Sequence, residues 1–309
     1  MLLRGRIPVT YIINKIKYEV LAIALYATLV WFFREDLKIQ HITIPLGVPT
    51  ILGTVLSLLL AFRSNQAYDR WWEARMIWGA IVNDSRTFQR QVLSFMQIPY
   101  TADGETNEFQ KRMVNRQIAW CYSLGNSLRK QNSMEGLDRY VSKKEMNFIQ
   151  SIDNAPSAII NLHGKDIRMA LEEGWINEFQ QVSMDETLTR LCDSMGKCER
   201  IKSTVFPTTY SLYLHWALYF FILLLPFGVI EYVGVIEIPL VTMLASFFLL
   251  IEKMAVHLQD PFENKPTDTP MTAIARNIER NLKQVMEGQD HHHLIPEAVP
   301  VPSKHYYIL

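Results

Sequence analysis

Four apolar segments stand out from an otherwise polar chain, and each is long enough, or nearly so, to cross a bilayer as a helix, which takes roughly 20 residues. They run from about Tyr18 to Phe33, from Ile42 to Phe62, from about Phe206 to Ile230 and from about Val233 to Ile251. Only Glu231 and Tyr232 separate the last two. The pattern predicts four membrane helices, the last two forming a hairpin, with Glu231 and Glu237 in its outer connection or at the membrane interface.

Lysine and arginine residues flank the same side of every predicted span. They are Arg4, Arg6, Lys15 and Lys17 before the first, Arg63, Arg70 and Arg75 after the second, Arg200 and Lys202 before the third, and Lys253 after the fourth. The other side has only Arg34 and Lys38, which Glu35 and Asp36 partly offset. By the positive-inside rule, we expect a multi-pass protein of the cell (inner) membrane, with both termini and the large middle region in the cytoplasm.

The polar regions have helical rather than strand-like patterning. Ser183-Met-Asp-Glu186 has the form of a capping box that opens a helix, and Thr269-Pro270 begins a helix that runs to about Glu287. Thr101–Asn107 has the composition of a loop. We divide the chain into residues 1–62 with the first two spans, 63–202 as a cytosolic helical region, 203–255 with the last two spans, 256–288 as a C-terminal helical segment and 289–309 as a flexible tail.

Composition and motifs argue against several function classes. The 309 residues contain 31 basic and 31 acidic side chains, so net charge gives no reason to expect nucleic-acid binding. The three cysteines, Cys121, Cys192 and Cys198, predict neither a disulfide framework nor a metal site. No enzyme motif is present in the sequence, and we expect no cofactor. His291–His293 could bind a metal, but adjacent histidines in a flexible tail rarely form a closed site. His215 and His257 are predicted to pack rather than to relay protons.

Two stripes run along the second apolar segment. Small residues recur every four positions at Gly53, Ser57 and Ala61, which permits close approach of membrane helices. Thr54, Leu58 and Phe62 form the neighbouring stripe. If several copies surround an axis, this stripe could line a narrow apolar constriction that gates by dewetting. It could equally pack on a neighbouring helix, and the pattern alone leaves both interpretations open.

The stretch after this segment carries the most specific pattern in the chain. Phe62-Arg63-x-Asn65-x-Ala67-Tyr68-x-Arg70-Trp71-x-Glu73-Ala74-Arg75-x-x-Trp78-Gly79 resembles the signature of the bestrophin family, in its bacterial branch. Further similar motifs are Leu224-Leu225-Pro226-Phe227, Asp260-Pro261-Phe262 and Ile278-Glu279-Arg280-Asn281-Leu282. The resemblance spans about Ile7 to Gly288.

The resemblance implies an all-α integral membrane protein with four transmembrane helices per subunit, assembled as a homopentamer around one axial pore. It implies a pore neck at Thr54, Leu58 and Phe62 and, by a looser match through Glu173-Gly174 and Cys198-Glu199-Arg200, a cytosolic aperture at Phe179. Arginines beside aromatic rings suit packing at a protein interface. The residues predicted to pack subunits together are Arg63, Tyr68, Arg70, Trp71, Trp72, Glu73 and Arg75.

The sequence departs from the family pattern in two respects. Neck residues in the family are usually all apolar, so Thr54 predicts a more wettable outer ring. Animal members bind calcium with an acidic cluster after the Asp/Asn-Pro-Phe motif. Beyond Asp260, this chain offers only Glu263 and Asp268 there, which are too few carboxylates for a calcium cage. We therefore expect no calcium activation.

The leading hypothesis is a channel for small monovalent ions that needs no catalysis. Animal members of the family conduct chloride, whereas bacterial members can favour sodium, and we expect a preference for cations. An anion channel is the alternative. A membrane scaffold that binds a partner through the aromatic-bearing helix Arg112–Arg129 is more remote. A membrane enzyme would need a convergent cluster of reactive side chains, and none has a usable spacing.

Overall fold

Helices make up nearly all of the computed structural model, which describes residues 9–37, 44–97, 103–204 and 206–287. They are α1 (Val9–Leu37), α2 (Gly47–Phe95), α3 (Asp103–Leu128), α4 (Lys143–Gln150), α5 (Ala155–Glu172), α6 (Glu178–Ser203), α7 (Thr208–Val233), α8 (Glu237–Gln259) and α9 (Met271–Glu287). Short 3₁₀ turns lie at Leu137–Arg139 and Gly234–Ile236. No strand occurs in these ranges. The prediction of an all-helical chain is confirmed.

Four of these helices contain segments long and apolar enough to cross a membrane, as predicted. These segments are Ile13–Arg34, Gly47–Phe95, Thr208–Val229 and Gly234–Gln259, the second being one helix that continues far beyond its apolar part. Helix α2 begins at Gly47 rather than at Ile42, which lies outside the described residues. Pro49 sits in its first turn, where a missing N–H does no harm.

The contacts divide the chain into two compact units. The first, called the span unit, holds the described residues up to Trp71 together with those from Thr204 to Asp260. Its core is a set of small and aliphatic side chains on α1, α2, α7 and α8: Ile23, Ala27, Leu56, Leu218, Leu225, Val241, Ala245 and Leu249. Val241, Ala245 and Leu249 recur every four residues, which puts them on one face of α8.

The second, called the polar unit, holds Trp72–Ser203 and the described residues from Pro261 onward. Here α3 packs against α5 and α9, and α5 packs against α6. The core is rich in large side chains, with Trp78, Phe88, Trp120, Leu191, Phe262 and Ile278 all almost fully buried. A core of this kind explains why a region with many charges forms stable helices, since helix stability comes chiefly from burial of an apolar face.

Two predicted boundaries in the polar unit are wrong. Helix α6 begins at Glu178, not at the Ser183–Glu186 box. Asn177 and Gln180 form a different capping box at the observed start of α6. Each donates its backbone N–H to the other's side-chain oxygen at 2.9 Å. Ser183 instead accepts hydrogen bonds from Gln91. The predicted loop Thr101–Asn107 is also helical from Asp103.

The hairpin connection differs from the prediction as well. Helix α7 continues through Glu231 and Tyr232 to Val233, and the connection is the 3₁₀ turn that starts at Gly234. Gly234 has a φ of +56°, which favours glycine. Glu237 lies directly after this connection, in the first turn of α8, where it is fully buried, and neither carboxylate oxygen has a hydrogen-bond partner among the described residues.

Candidate ion pathway

The predicted neck residues lie together on one exposed stripe of α2. Leu58 is 58% exposed and Phe62 is 56% exposed, and Thr54 is also exposed. Successive residues of a helix are rotated by about 100°. Leu56, Leu60 and Arg63 therefore fall on the opposite side of α2, and all three are buried within the chain. The stripe is thus part of the surface of α2 that its own subunit leaves uncovered.

The Thr54 hydroxyl of this stripe already donates a hydrogen bond within its own helix. It donates a hydrogen bond to the backbone oxygen of Thr50, at 2.9 Å, one turn earlier in the helix. A hydroxyl used in this way is less available to water. The predicted wettability of this ring is therefore reduced, although Thr54 remains more polar than an aliphatic residue.

The small stripe divides between two environments. Gly53 lies so close to α7 that an added Cβ would be 3.2 Å from Phe221. Ser57 and Ala61 are exposed, and the Ser57 hydroxyl donates to the Gly53 oxygen at 2.8 Å. Close approach of helices is therefore observed at Gly53, within one chain, and the other two positions remain open to a further helix.

Arg63 has a role inside its own subunit that the sequence analysis missed. Its side chain is only 4% exposed, and a guanidinium nitrogen lies 3.3 Å from Glu252 on α8. The same guanidinium lies 5.7 Å from the centre of the Phe206 ring, and His215 approaches Glu252 at 3.7 Å. His215 also packs edge-on against Tyr219. The structure therefore places Arg63 in an ion pair within the span unit, and its role in subunit packing stays a prediction.

Other residues of the signature fall into two groups. Arg70 donates to the backbone oxygen of Gln259 at 2.9 Å, and Glu73 pairs with Arg200 at 2.5 Å, so both have partners in the same chain. Tyr68 and Trp72 are half-exposed. Trp71 and Arg75 are partly buried. Packing between subunits remains a prediction for all seven residues of the predicted set.

Phe179 is the most exposed large apolar side chain of the polar unit. It is the second residue of α6 and is 87% exposed, and Val182 on the next turn is 59% exposed. Apolar side chains this exposed on a helix with a buried opposite face mark a surface that has a use beyond folding of the single chain. The structure thus places Phe179 where an aperture residue is possible, on an uncovered face.

A buried charge network in the polar unit was also missed. Arg116, 2% exposed, donates to Glu145 from Nε at 3.1 Å and has Nη1 2.8 Å from Asp166. Burial by itself raises the Glu145 pKa, but hydrogen bonds from Arg116 and from Ser142 outweigh it and hold that pKa below its usual value. The box Ser142-x-x-Glu145 is visible in the sequence and could have identified the start of α4.

His163 lies fully buried in the same region. Its ring packs edge-on against Phe88 at a centroid distance of 4.7 Å, and neither ring nitrogen has a hydrogen-bond partner among the residues that the structure describes. Burial, with a smaller contribution from Arg116, lowers the pKa of His163 well below its ordinary value. Arg116, Glu145 and His163 are therefore all part of the buried interior of the polar unit.

The motif around Glu279 holds helix α9 in place through side-chain hydrogen bonds. The hydroxyls of Tyr122 and Tyr140 donate to its two carboxylate oxygens at 2.7 and 2.8 Å, and Lys283 approaches at 2.7 Å. The two tyrosine rings stack on each other. Burial raises the Glu279 pKa, but hydrogen bonds from Lys283 and both tyrosines outweigh this effect and keep that pKa low. The motif therefore fixes α9 against α3.

The stretch after α8 uses its carboxylates within the chain. The Asp268 side chain accepts from the backbone N–H of Lys265 at 3.0 Å, and Glu263 pairs with Lys265. Phe262 is fully buried. In the part of the chain that the structure describes, no group of three or more histidine, cysteine or acidic residues could hold a metal ion. His291–His293 lie outside that part. All three cysteines are free thiols.

Comparisons with known proteins agree with the predicted family. The model of the family described as bacterial/fungal bestrophin protein matches residues 5–284. The voltage-dependent anion channel-forming protein alr2987 of Nostoc sp. is 32% identical over 272 residues, which cover 88% of this chain and 87% of that protein. The voltage-dependent anion channel-forming protein YneE of Escherichia coli K12 is 28% identical over 298 residues, covering 96% of this chain and 93% of that protein.

The fold also matches a solved structure. The crystal structure of a bacterial bestrophin homolog from Klebsiella pneumoniae superposes with a TM-score of 0.80 at 27% identity. The match covers 88% of this chain and 98% of that one. With four apolar helices long enough to span a bilayer, these similarities identify an integral membrane protein. The chain therefore belongs to the bestrophin family of channel-forming membrane proteins, in its bacterial and fungal branch.

Proposed function

We propose that this protein is a homopentameric channel for small monovalent ions whose neck is formed by α2. The observation that carries the proposal is the stripe Thr54, Leu58 and Phe62, which lies opposite the face that α2 buries in its own subunit. Apolar side chains left exposed in this regular order suit an assembly in which five copies of α2 surround an axis. The lipid bilayer would surround the remaining exposed apolar faces of the span unit.

The chemistry of the stripe fits a gate that acts by dewetting. Leu58 and Phe62 offer no hydrogen-bonding group, and the Thr54 hydroxyl is bonded to its own helix. A narrow ring of such side chains excludes water, and therefore hydrated ions, unless it widens. In this proposal Phe179 forms a second constriction, in the cytoplasm, and Tyr68, Trp71, Trp72 and Arg75 pack between subunits.

The sign of the permeant ion separates two candidates. We propose a preference for cations such as sodium, as bacterial members of the family can show. Among the exposed charges of helix α6 that have no partner in the described residues, carboxylates outnumber amines. An anion channel is the second candidate. It is favoured by the names of the relatives in Nostoc and Escherichia coli, which are called anion channel-forming proteins.

Recordings from purified protein in planar bilayers, with a sodium chloride gradient, test the proposal. A reversal potential displaced towards the sodium equilibrium potential is expected, and displacement towards that of chloride would establish the anion channel instead. Calcium should leave the current unchanged. Protein-free bilayers and bilayers that contain heat-inactivated protein are the controls. Absence of current and of ion flux in liposomes would contradict channel function and favour a membrane scaffold.

A further inference from the structure

Helix α6 carries an excess of unneutralised negative charge. Four of its charged side chains are engaged: Arg190 pairs with Asp84, Arg200 pairs with Glu73, Glu199 accepts a hydrogen bond from Asn154, and Lys202 also interacts within the chain. Five others are exposed and have no ion-pair or hydrogen-bond partner in the described part of the chain: Glu178, Asp185, Glu186, Asp193 and Lys197. Among the charged side chains of this helix that have no partner in the described residues, there are therefore four carboxylates and one amine.

Glu186 is the acidic residue of this set that shares a face with Phe179 most closely. It follows Phe179 by seven positions, which is two helical turns, so the two side chains are rotated by about 20° and separated by roughly 10 Å along the helix. Asp185, although adjacent in sequence, is rotated from Phe179 by about 120°. Asp193 continues the line of Glu186 a further two turns along.

We infer that Glu186 sets the preference of the channel for cations. The inference rests on the proposed function, because it requires five subunits around one axis with Phe179 at the aperture. Under that symmetry, Glu186 contributes a ring of five carboxylates beside the aperture. Such a ring raises the local concentration of cations and lowers that of anions.

Distance and screening decide which charges act on the aperture. The screening length is about 8 Å at physiological ionic strength, so the field of a charge roughly 10 Å away is weakened at the aperture but not abolished. Lys197 lies on the same face but about 27 Å from Phe179 along the helix, which is more than three screening lengths. Its positive charge therefore does not cancel that of Glu186 at the aperture.

The test compares Glu186→Gln with Asp185→Asn in the full-length protein in planar bilayers. Both substitutions remove one exposed negative charge per subunit, so they alter net charge equally. At physiological ionic strength, Glu186→Gln should reduce the sodium-to-chloride permeability ratio severalfold, and Asp185→Asn, whose side chain points away from Phe179, should reduce it less. The effect of Glu186→Gln should shrink in 1 M salt, where the screening length is about 3 Å. Glu186→Lys should displace the reversal potential further towards that of chloride.

Three results would overturn the inference: a wild-type reversal potential on the chloride side, no change in Glu186→Gln at physiological ionic strength, or an equal change in Asp185→Asn. Phe179→Ala separates this failure from failure of the proposed function. If wild type conducts and Phe179→Ala raises conductance while Glu186→Gln changes nothing, only the role of Glu186 is wrong. If wild type carries no current, the channel proposal itself fails.

Discussion

Arg63 and Arg116 are both buried, and each is neutralised by a carboxylate of the same chain. The partners lie far away in sequence, Glu252 at a separation of 189 residues and Glu145 at 29. Breaking one member of such a pair leaves an uncompensated buried charge and typically costs about 3–5 kcal/mol. These arginines therefore contribute to the fold of the single subunit.

His163 makes the stability of the polar unit sensitive to acid. Its pKa is lowered in the folded protein, so below about pH 6.5 His163 takes up a proton in the unfolded chain but stays neutral in the folded protein. The free energy of unfolding therefore falls as the pH falls. His163→Leu removes the titratable group and breaks no hydrogen bond among the described residues. We expect the melting temperature in detergent to fall less between pH 6.5 and 5 in the variant, by the equivalent of at most about 1.4 kcal/mol per pH unit.

Measurements at pH 8 serve as the internal control, since His163 is neutral in both states there and the variant should melt close to wild type. The window also avoids the carboxylates Glu145 and Glu279, whose lowered pKa values affect stability only at lower pH. Parallel melting curves for wild type and variant across the whole range would contradict this role of His163.

At the scale of the elements, α2 and α7 approach each other very closely. A Cβ added at Gly228 of α7 would lie 2.5 Å from Cγ of Pro49 and 3.3 Å from its Cδ. The proline ring is rigid, so the clash must be relieved by movement of a helix. This glycine therefore sets the separation of α7 from the start of α2.

We expect Gly228→Ala to destabilise the protein by about 1–3 kcal/mol through overpacking. Thermal unfolding and gel filtration of the detergent-solubilised protein provide the measurement. Gly164→Ala in α5 is the matched control, because nothing lies within 4 Å of the position that its Cβ would occupy. Alanine in place of that helical glycine should be neutral or stabilising by up to about 1 kcal/mol. Equal effects of the two substitutions would show that close packing at Gly228 is unimportant.

The sequence predicts these elements unevenly, for physical reasons. Four spans and the start of α9 follow from length, hydropathy and proline placement, which are local properties. The start of α6 was misplaced because two boxes, at Asn177 and Ser183, both satisfy the local capping rule and only tertiary packing chooses between them. The four-residue spacing of Thr54, Leu58 and Phe62 predicted that they share one face of α2. The ion pair of Arg63, in contrast, depends on Glu252, a partner distant in sequence that no local pattern reveals.

At the scale of the whole molecule, the proposed pathway uses faces that the described part of one subunit leaves uncovered. The face of α2 with Thr54, Leu58 and Phe62 and the face of α6 with Phe179 are both exposed in one subunit. The number of subunits is not encoded in any local pattern and enters through the family resemblance. Balanced overall charge, with 31 residues of each sign, conceals the acidic excess on α6.

The central claim is that the stripe on α2 forms the neck, and the conductance of Leu58→Ala and Phe62→Ala in planar bilayers tests it most directly. Truncation should widen the apolar ring and make it easier to wet, so single-channel conductance or open probability should rise. Phe247→Ala on α8 is the matched control, since that phenylalanine is 63% exposed but belongs to another helix, and its currents should resemble wild type. Unchanged currents in both neck variants, or an equal rise in Phe247→Ala, would contradict the neck assignment.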